Sequence, residues 1–423
     1  MGDAGRIVVV GSGHAGFQVA ASLRELGYVG PVALVGEESR LPYERPPLSK
    51  SYISGDVADE KLAFRAHSYY ADNGVELFLG DPALEIDRAA GVVNLASGRG
   101  VPYDQLVLAT GTRPRQLGVA GADLDGVVAL RSAVDAADLR RRLESAASIV
   151  VVGGGFIGLE VAAVARRLGR EVTVVEALPR LLARAVSGEV SEFYRDSHQA
   201  WGTEVQLGSA VEAIVGRDGR ATAVLTTDGR EIAADLVVVG IGVLPNDDLA
   251  KGSGLAVSDG VLVDEELRTS DPRISAIGDC ARFPGSWSGR LERLESVQNA
   301  ADQGRFVAKR LATGAEGPYR QTPWFWSDQG DLKLQIAGVT SGSDQVVLRG
   351  DPRSRSFSAF GFREGNLIGA ESVNAPMDHL ATRFLLGGTT PLSPEQAADP
   401  TVDLRELARG ATKVAALTAE ADS

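Results

Sequence analysis

Cysteine is the scarcest reactive residue in this 423-residue chain: Cys280 stands alone, which excludes an internal disulfide and the paired thiols of dithiol redox chemistry. Four histidines, scattered and without metal-ligand spacing, leave no candidate metal site. Lysine and arginine number 43 against 56 aspartates and glutamates. The resulting charge of −13 works against nucleic-acid binding, which needs basic residues clustered and in surplus. No apolar run reaches the roughly 18 residues of a membrane-spanning helix. The opening MGDAGRIVVVGSGHAG enters a strand and a glycine turn with no basic, apolar, cleavable leader, so a cytoplasmic protein without membrane contact is expected.

What is present is enough chain for a large core. Hydrophobic residues at 44% and charged residues at 23% are ordinary globular values, and the length suggests two or three domains. One pattern occurs twice. Strand Ile7 to Val10 enters GSGHAG, a helix runs to about Leu26, and strand PVALVGE ends at Glu37. Later, strand Ile149 to Val152 enters GGGFIG, a helix runs to about Leu168, and EVTVVE ends at Glu176. Each copy is followed by a buried strand that stops at glycine, DQLVLATG and DLVVVGIG. The alternating stretches VVNLASGRGVPYD and ATAVLTTDGREIAAD read as antiparallel meanders. From about Trp324 the periodicity becomes strand-like and then helical, which predicts a C-terminal α+β domain, and the tail from Thr412 is expected to fray.

In each copy the glycines divide the labour of a dinucleotide loop. Gly11 and Gly153 permit the tight turn, Gly13 and Gly155 let backbone approach a pyrophosphate, and Gly16 and Gly158 let helix pack on strand. The helix N-terminus then supplies the anion site. Glu37, 21 residues past Gly16, and Glu176, 18 past Gly158, are placed to accept hydrogen bonds from adenosine ribose hydroxyls. An acid in the second copy favours NADH over a 2′-phosphorylated nucleotide. Arg180 and Arg184 nearby either qualify that preference or pair with surface acids. Two dinucleotides in one chain imply hydride chemistry if one is a flavin and the other a nicotinamide.

Further motifs carry a resemblance. PYERPPLSK (Pro42 to Lys50), the ATG with Thr110 and Gly111, GGGFIGLE, GIGVLPN, TSDPRISAIGDCA, ESVQNA and PWFWSDQ (Pro323 to Gln329) together resemble the ferredoxin reductases of bacterial oxygenase systems. The resemblance covers nearly the whole chain. It implies an α/β fold of glutathione-reductase type, with two Rossmann-like domains and a C-terminal α+β domain. The expected boundaries are 1–112 and 243–323 for FAD, 113–242 for NAD, and 324–423 for the last domain.

The resemblance implies that Ala15, Glu37, Lys50, Ala83, Arg131, Asp279 and Val297 hold FAD, with Arg45, Thr110, Gly111 and Gly278 in the same motifs. His14 is read as a loop residue near phosphate, not a base. Asp279 is taken to bind the ribityl chain, and Lys50 to stand by flavin N5 and favour the reduced, anionic ring. On the NAD side, Phe156, Ile157 and Gly242 join the second glycine loop. Phe156 replaces a tyrosine frequent in the family, which keeps ring packing and loses the hydroxyl. Glu160, placed in the first turn of the second helix, either binds the nicotinamide carboxamide or pairs with Lys50; a helix-start acid complementing the dipole is the plainer alternative. Trp326 resembles an aromatic close to flavin and nicotinamide, against the alternative of simple core. Lys50, Glu160 and Trp326 are therefore the candidate catalytic residues. Cys280 reads as a buried structural thiol.

The implied reaction runs from NADH through FAD to a 2Fe-2S ferredoxin that feeds an oxygenase, a haem monooxygenase by the resemblance. Arg305 matches a docking position, with Lys309 and Lys333 as possible extensions of a basic patch. The chain is expected to be a monomer or a weak homodimer. Two alternatives stay open: a reductase of rubredoxin or another small carrier, and an NADH-sensing flavoprotein resembling apoptosis-inducing factor.

Overall fold

The computed structural model describes residues 4–388 and 390–409, so the tail expected to fray lies outside the described residues. The chain divides into two compact units: residues 1–44, 59–113 and 243–321 form the first, and residues 45–58, 114–242 and 322–423 the second.

The first unit is built on a parallel five-stranded sheet in the order Ile274–Ala276, Gln105–Leu108, Ile7–Val10, Val32–Gly36, Val75–Leu79. Ile7–Val10 and Val32–Gly36 are buried at every position, as strands covered on both faces must be, which is why they read as unbroken apolar runs. The helix His14–Glu25 crosses the helix Val297–Thr313 closely. A Cβ on Gly304 would stand 2.9 Å from Gln18 Cβ and 3.0 Å from the Ala15 carbonyl oxygen. The meander Ala83–Asp87, Val92–Leu95, Gly100–Pro102 is antiparallel, as its alternation predicts.

The second unit repeats the plan with the parallel order Glu204–Leu207, Glu171–Glu176, Ser148–Val152, Leu236–Val239, Val127–Ala129. Its helix Phe156–Arg167 packs on the first strand of an antiparallel sheet ordered Trp324–Gln329, Leu332–Gly338, Asn366–Val373, Ser356–Arg363, Gln345–Asp351. The helix Pro376–Gly387 packs on the strands Asn366–Val373 and Leu332–Gly338. Glu371, fully buried in that sheet, accepts from the Ser187 amide at 2.9 Å, the Ser187 hydroxyl and the Thr340 hydroxyl, both at 2.6 Å. It thereby ties the N-cap of helix Gly188–Ala200 to the C-terminal strands.

The three regions expected from sequence thus group into two units. The short turn Pro46–Ser49 packs on the helix Phe156–Arg167, and its residues belong to the second unit for that reason. Among the described residues no helix is long and apolar enough to cross a membrane.

Candidate functional site

The candidate residues fall into two clusters, one in each unit. In the first unit the cradle is assembled by small residues. Gly11 has φ +114°, and a Cβ there would meet the Ala109 carbonyl oxygen at 2.0 Å. Gly16 can carry no side chain either, since its Cβ would lie 1.8 Å from the Gly11 carbonyl oxygen. Gly278, at φ +72°, would press a Cβ to 3.2 Å from that of Ala15. Ala15, Gly16 and Gly278 therefore let three chain segments converge: the first glycine loop, the short turn Gly278–Cys280, and the helix that starts at Val297. The Gln303 side chain fastens the convergence by accepting from the Gly278 amide at 2.7 Å.

These residues suit a dinucleotide. Gly13 caps helix His14–Glu25 without a side-chain hydrogen bond, and the first turn holds no acid. The first helical bond is Phe17 N–H to Gly13 O, so the amides before it have no acceptor within the helix and offer an anion site. Glu37 is exposed at the strand end, and among the described residues its carboxylate has no hydrogen-bond or ion-pair partner. Asp279 accepts from the Thr112 hydroxyl at 3.3 Å, beside the Thr110 and Gly111 turn, which exchanges hydrogen bonds with Asn246. His14 lies edge-on to Phe64, 4.9 Å between centroids, and Ala83 begins a meander strand. Cys280 is fully buried and its thiol is pushed up by burial, the inert group that the sequence suggests.

Arg45, Lys50 and Arg131 belong to the second unit, where Arg45 donates to the Arg131 carbonyl oxygen at 2.7 Å. There the second glycine loop repeats the first: Gly153 has φ +106°, and Gly155 caps the helix with no side-chain bond and no acid in the first turn. Glu176 differs from its counterpart. It accepts from the Gly154 amide at 2.6 Å and the Leu178 amide at 2.7 Å, so the strand-end acid braces its own loop. Arg180 spends its guanidinium on the carbonyls of Ala183, Val186 and Ser187, not on surface acids. Arg184 lies near Gly242, whose carbonyl accepts from the Arg115 amide. Phe156 packs on Phe325 at 4.4 Å, while Ile157 is exposed.

Glu160 is not in the first helical turn, as the sequence suggested, because the helix begins at Phe156. It lies one turn further in and is 2% exposed, so it is no surface acid complementing a dipole. Lys50 Nζ stands 2.8 Å from Glu160 Oε2, the Ser49 hydroxyl donates to the same oxygen, and the Ser327 hydroxyl donates to Oε1 at 2.6 Å. Of the two roles open to Glu160, the pairing with Lys50 is therefore made. An ionised carboxylate so far from water needs this set of donors.

The strand Trp324–Gln329 explains who faces Glu160. Successive side chains point to opposite faces. Phe325, Ser327 and Gln329 turn to the helix, whereas Trp324 and Trp326 share the other face, 5.5 Å apart. Trp326 is half-buried and does not join the Glu160 cluster. Ser49, Ser327, Gln329 and His198 were missed by sequence reasoning. The available signal was polar residues on both faces of WFWSDQ, where one face should have been apolar. Arg305 is exposed and pairs with Asp302 at 2.9 Å, with Lys309 one turn along the same helix, while Lys333 lies 3.7 Å from Asp328. Among the described residues no cluster of potential metal ligands exists.

Comparison with known proteins places these clusters in context. Residues 5–304 match the pyridine nucleotide-disulphide oxidoreductase family, and residues 324–408 match the reductase C-terminal family. The chain is 50% identical to rhodocoxin reductase of Rhodococcus erythropolis over 94% of its own length and 93% of that protein's. The crystal structure of a ferredoxin reductase for the CYP199A2 system of Rhodopseudomonas palustris matches with a TM-score of 0.93 and 48% identity, covering 95% of this chain and 99% of that one. The covalent putidaredoxin reductase–putidaredoxin complex matches with a TM-score of 0.93 and 37% identity over 97% of this chain and 99% of that one.

Proposed function

We propose, from the premise that the chain belongs to the pyridine nucleotide-disulphide oxidoreductase family, that it is an FAD-dependent NADH oxidoreductase supplying electrons to a 2Fe-2S ferredoxin and through it to an oxygenase. The disulphide branch of that family's chemistry is closed to this chain, since its one cysteine is buried. The observation that carries the reading is the pair of uncapped glycine-loop helices, one per unit, with half-buried Lys50 paired to buried Glu160 beside the second.

FAD, when bound, supplies the chemistry that accepts two electrons from NADH and yields them singly. The chain's own residues bind and orient. Gly11, Gly13, Ala15, Gly16, Glu37, Ala83, Thr110, Gly111, Gly278, Asp279 and Val297 are assigned to FAD, with His14 beside the phosphates; the resemblance assigns Arg45, Lys50 and Arg131 to FAD as well. Gly153, Gly155, Phe156, Ile157, Gly158, Glu160, Glu176 and Gly242 are assigned to NADH. Lys50, held by Glu160, brings positive charge to stabilise the reduced ring, and Trp326 supplies an aromatic face. Glu176, whose oxygens face the loop, would meet a 2′-phosphate with like charge, and Arg180 is already satisfied by carbonyls, which supports NADH and leaves Arg184 as the exposed cation near the loop.

We assign ferredoxin docking to Arg305 with Lys309, and separately to Lys333, all exposed cations suited to an acidic partner. The domain boundaries of the sequence reading, a cytoplasmic location and a monomer or weak homodimer belong to the same proposal. Anaerobic stopped-flow tests it: NADH should reduce the bound flavin much faster than NADPH, and a 2Fe-2S ferredoxin should reoxidise it at catalytic rates. Faster turnover with rubredoxin would replace the acceptor. A long-lived reduced complex that ignores every one-electron carrier would replace electron transfer by sensing.

A further inference from the structure

Behind Glu160 a line of buried polar side chains continues into the second unit. Gln329 Nε2 lies 3.1 Å from Ser327 Oγ, and Gln329 Oε1 lies 2.9 Å from His198 Nε2. Ser327, Gln329 and His198 are all fully buried, and no nucleotide-loop motif accounts for them. His198 stands edge-on to Trp201, and among the described residues its Nδ1 has no partner.

The proton arrangement of this line follows from charge. Lys50 and Ser49 both donate to Glu160 Oε2, so the acid is a carboxylate and can only accept. Ser327 must then give its one proton to Glu160 Oε1. Its oxygen can only accept from Gln329, which orients the Gln329 amide with NH2 toward Ser327 and the carbonyl toward His198. His198 must therefore carry its hydrogen on Nε2. Every donor in the line points toward Glu160. Burial also disfavours the charged imidazolium, consistent with a neutral ring.

We infer that Ser327, Gln329 and His198 are positioning residues for the reaction: a one-way series of donors that holds the Glu160 carboxylate in the single orientation in which it serves Lys50 and the nicotinamide. The inference rests on the role of Glu160 given above. Its converse is that the charge on Glu160 sets the tautomer of His198 through two intervening side chains, a coupling that packing alone does not produce.

The test reads His198 directly. The FAD-loaded protein is labelled with ring 15N-histidine, and the His198 signal is identified among four histidines as the one lost in His198→Gln. The expected result is a neutral ring protonated at Nε2. In Glu160→Gln, whose amide can donate to Ser327, and in Ser327→Ala, which cuts the line, the His198 tautomer should become mixed or reversed. Gln329→Leu should slow flavin reduction by NADH about tenfold with little change in NADH affinity, the rate equivalent of one hydrogen bond lost from the line that positions Glu160. A ring protonated at Nδ1 in the unaltered protein overturns the inference, as does an unchanged His198 signal in both folded variants. None of these readings uses an electron acceptor, so failure with ferredoxin would sink the acceptor assignment and leave this one standing.

Discussion

The two glycine loops are near copies in backbone and opposites in how they treat the acid at the end of the next strand. Gly11 and Gly153 share a positive φ, and Gly13 and Gly155 leave their helices equally uncapped. Yet Glu37 is exposed without a partner among the described residues, whereas Glu176 is drawn inward onto the amides of Gly154 and Leu178. The residue after the first glycine accounts for the difference. Ser12 places its hydroxyl 2.5 Å from where a Gly36 Cβ would stand, so the side chain occupies the space between loop and strand. Gly154 has no side chain, and Leu181 and Glu176 close over it. The first loop is thus left free of its strand-end acid, and the second is prefolded by its own.

The largest effect should come from forbidding the shared backbone. Gly11→Ala puts a Cβ 2.0 Å from the Ala109 carbonyl oxygen at φ +114°, and Gly153→Ala puts one 2.5 Å from the Gly240 carbonyl oxygen at φ +106°. Strain of about 3 kcal/mol corresponds to about a hundredfold loss in binding or rate. Gly11→Ala should purify without yellow colour. Gly153→Ala should stay yellow and lose NADH reduction about a hundredfold, as read by visible absorbance and stopped-flow. If either variant lost both nucleotides, the loops would not be independent.

The units should also part under acid. His379, buried in the second unit against Trp324, has its pKa lowered from 6.5 to about 4 by burial and then by Arg383. As pH falls below 6.5 the unfolded chain takes up this proton and the folded one does not. The stability present above pH 6.5 is therefore lost progressively toward pH 4, by about 3 kcal/mol from this group alone. His67, in the first unit, is exposed. Hydrogen exchange at pH 7 and pH 4.5 should show the C-terminal strands losing protection in the parent chain and much less in His379→Gln.

Smaller still is the contrast between the two acids. Glu176→Ala strips two amides of their acceptor and should cost about 1–3 kcal/mol of stability while narrowing the preference for NADH over NADPH. Glu37→Ala touches nothing in the protein, so its melting temperature should move by less than about 0.5 kcal/mol equivalent. Only FAD affinity should fall, about tenfold, in a titration of the apoprotein. Equal melting losses would show the acids to be equivalent after all.

How much of this was legible beforehand follows from the physics of each element. The two parallel sheets were readable because doubly buried strands must be continuous apolar runs, and the loops because only glycine tolerates the φ of Gly11 and Gly153. The surroundings of Glu160 were legible only in part: its pairing with Lys50 was one of the roles open to it, whereas the donors Ser49 and Ser327, which lie 111 and 167 residues away in the chain, were not foreseen. No local periodicity reports such a meeting. The grouping of residues 45–58 with the second unit escaped for the same reason: it follows from those long-range bonds and not from composition.

The finest test exchanges the residue that separates the loops. Gly154→Ser would bring a Cβ to 2.5 Å from Leu181 Cδ2 and 3.2 Å from Glu176 Oε2. Both are ends of flexible side chains, unlike the carbonyl oxygens that oppose Gly11 and Gly153, so each can yield. The expected outcome is a rise of about threefold in the NADH concentration for half-maximal flavin reduction, under 1 kcal/mol, with flavin content unchanged. Ser12→Gly should leave NADH kinetics untouched and lower FAD affinity no more than that. If Gly154→Ser proved as damaging as Gly153→Ala, the space over the loop would govern nucleotide binding and the backbone conformation would not. The prefolding of the second loop by Glu176 would then be the stronger constraint of the two.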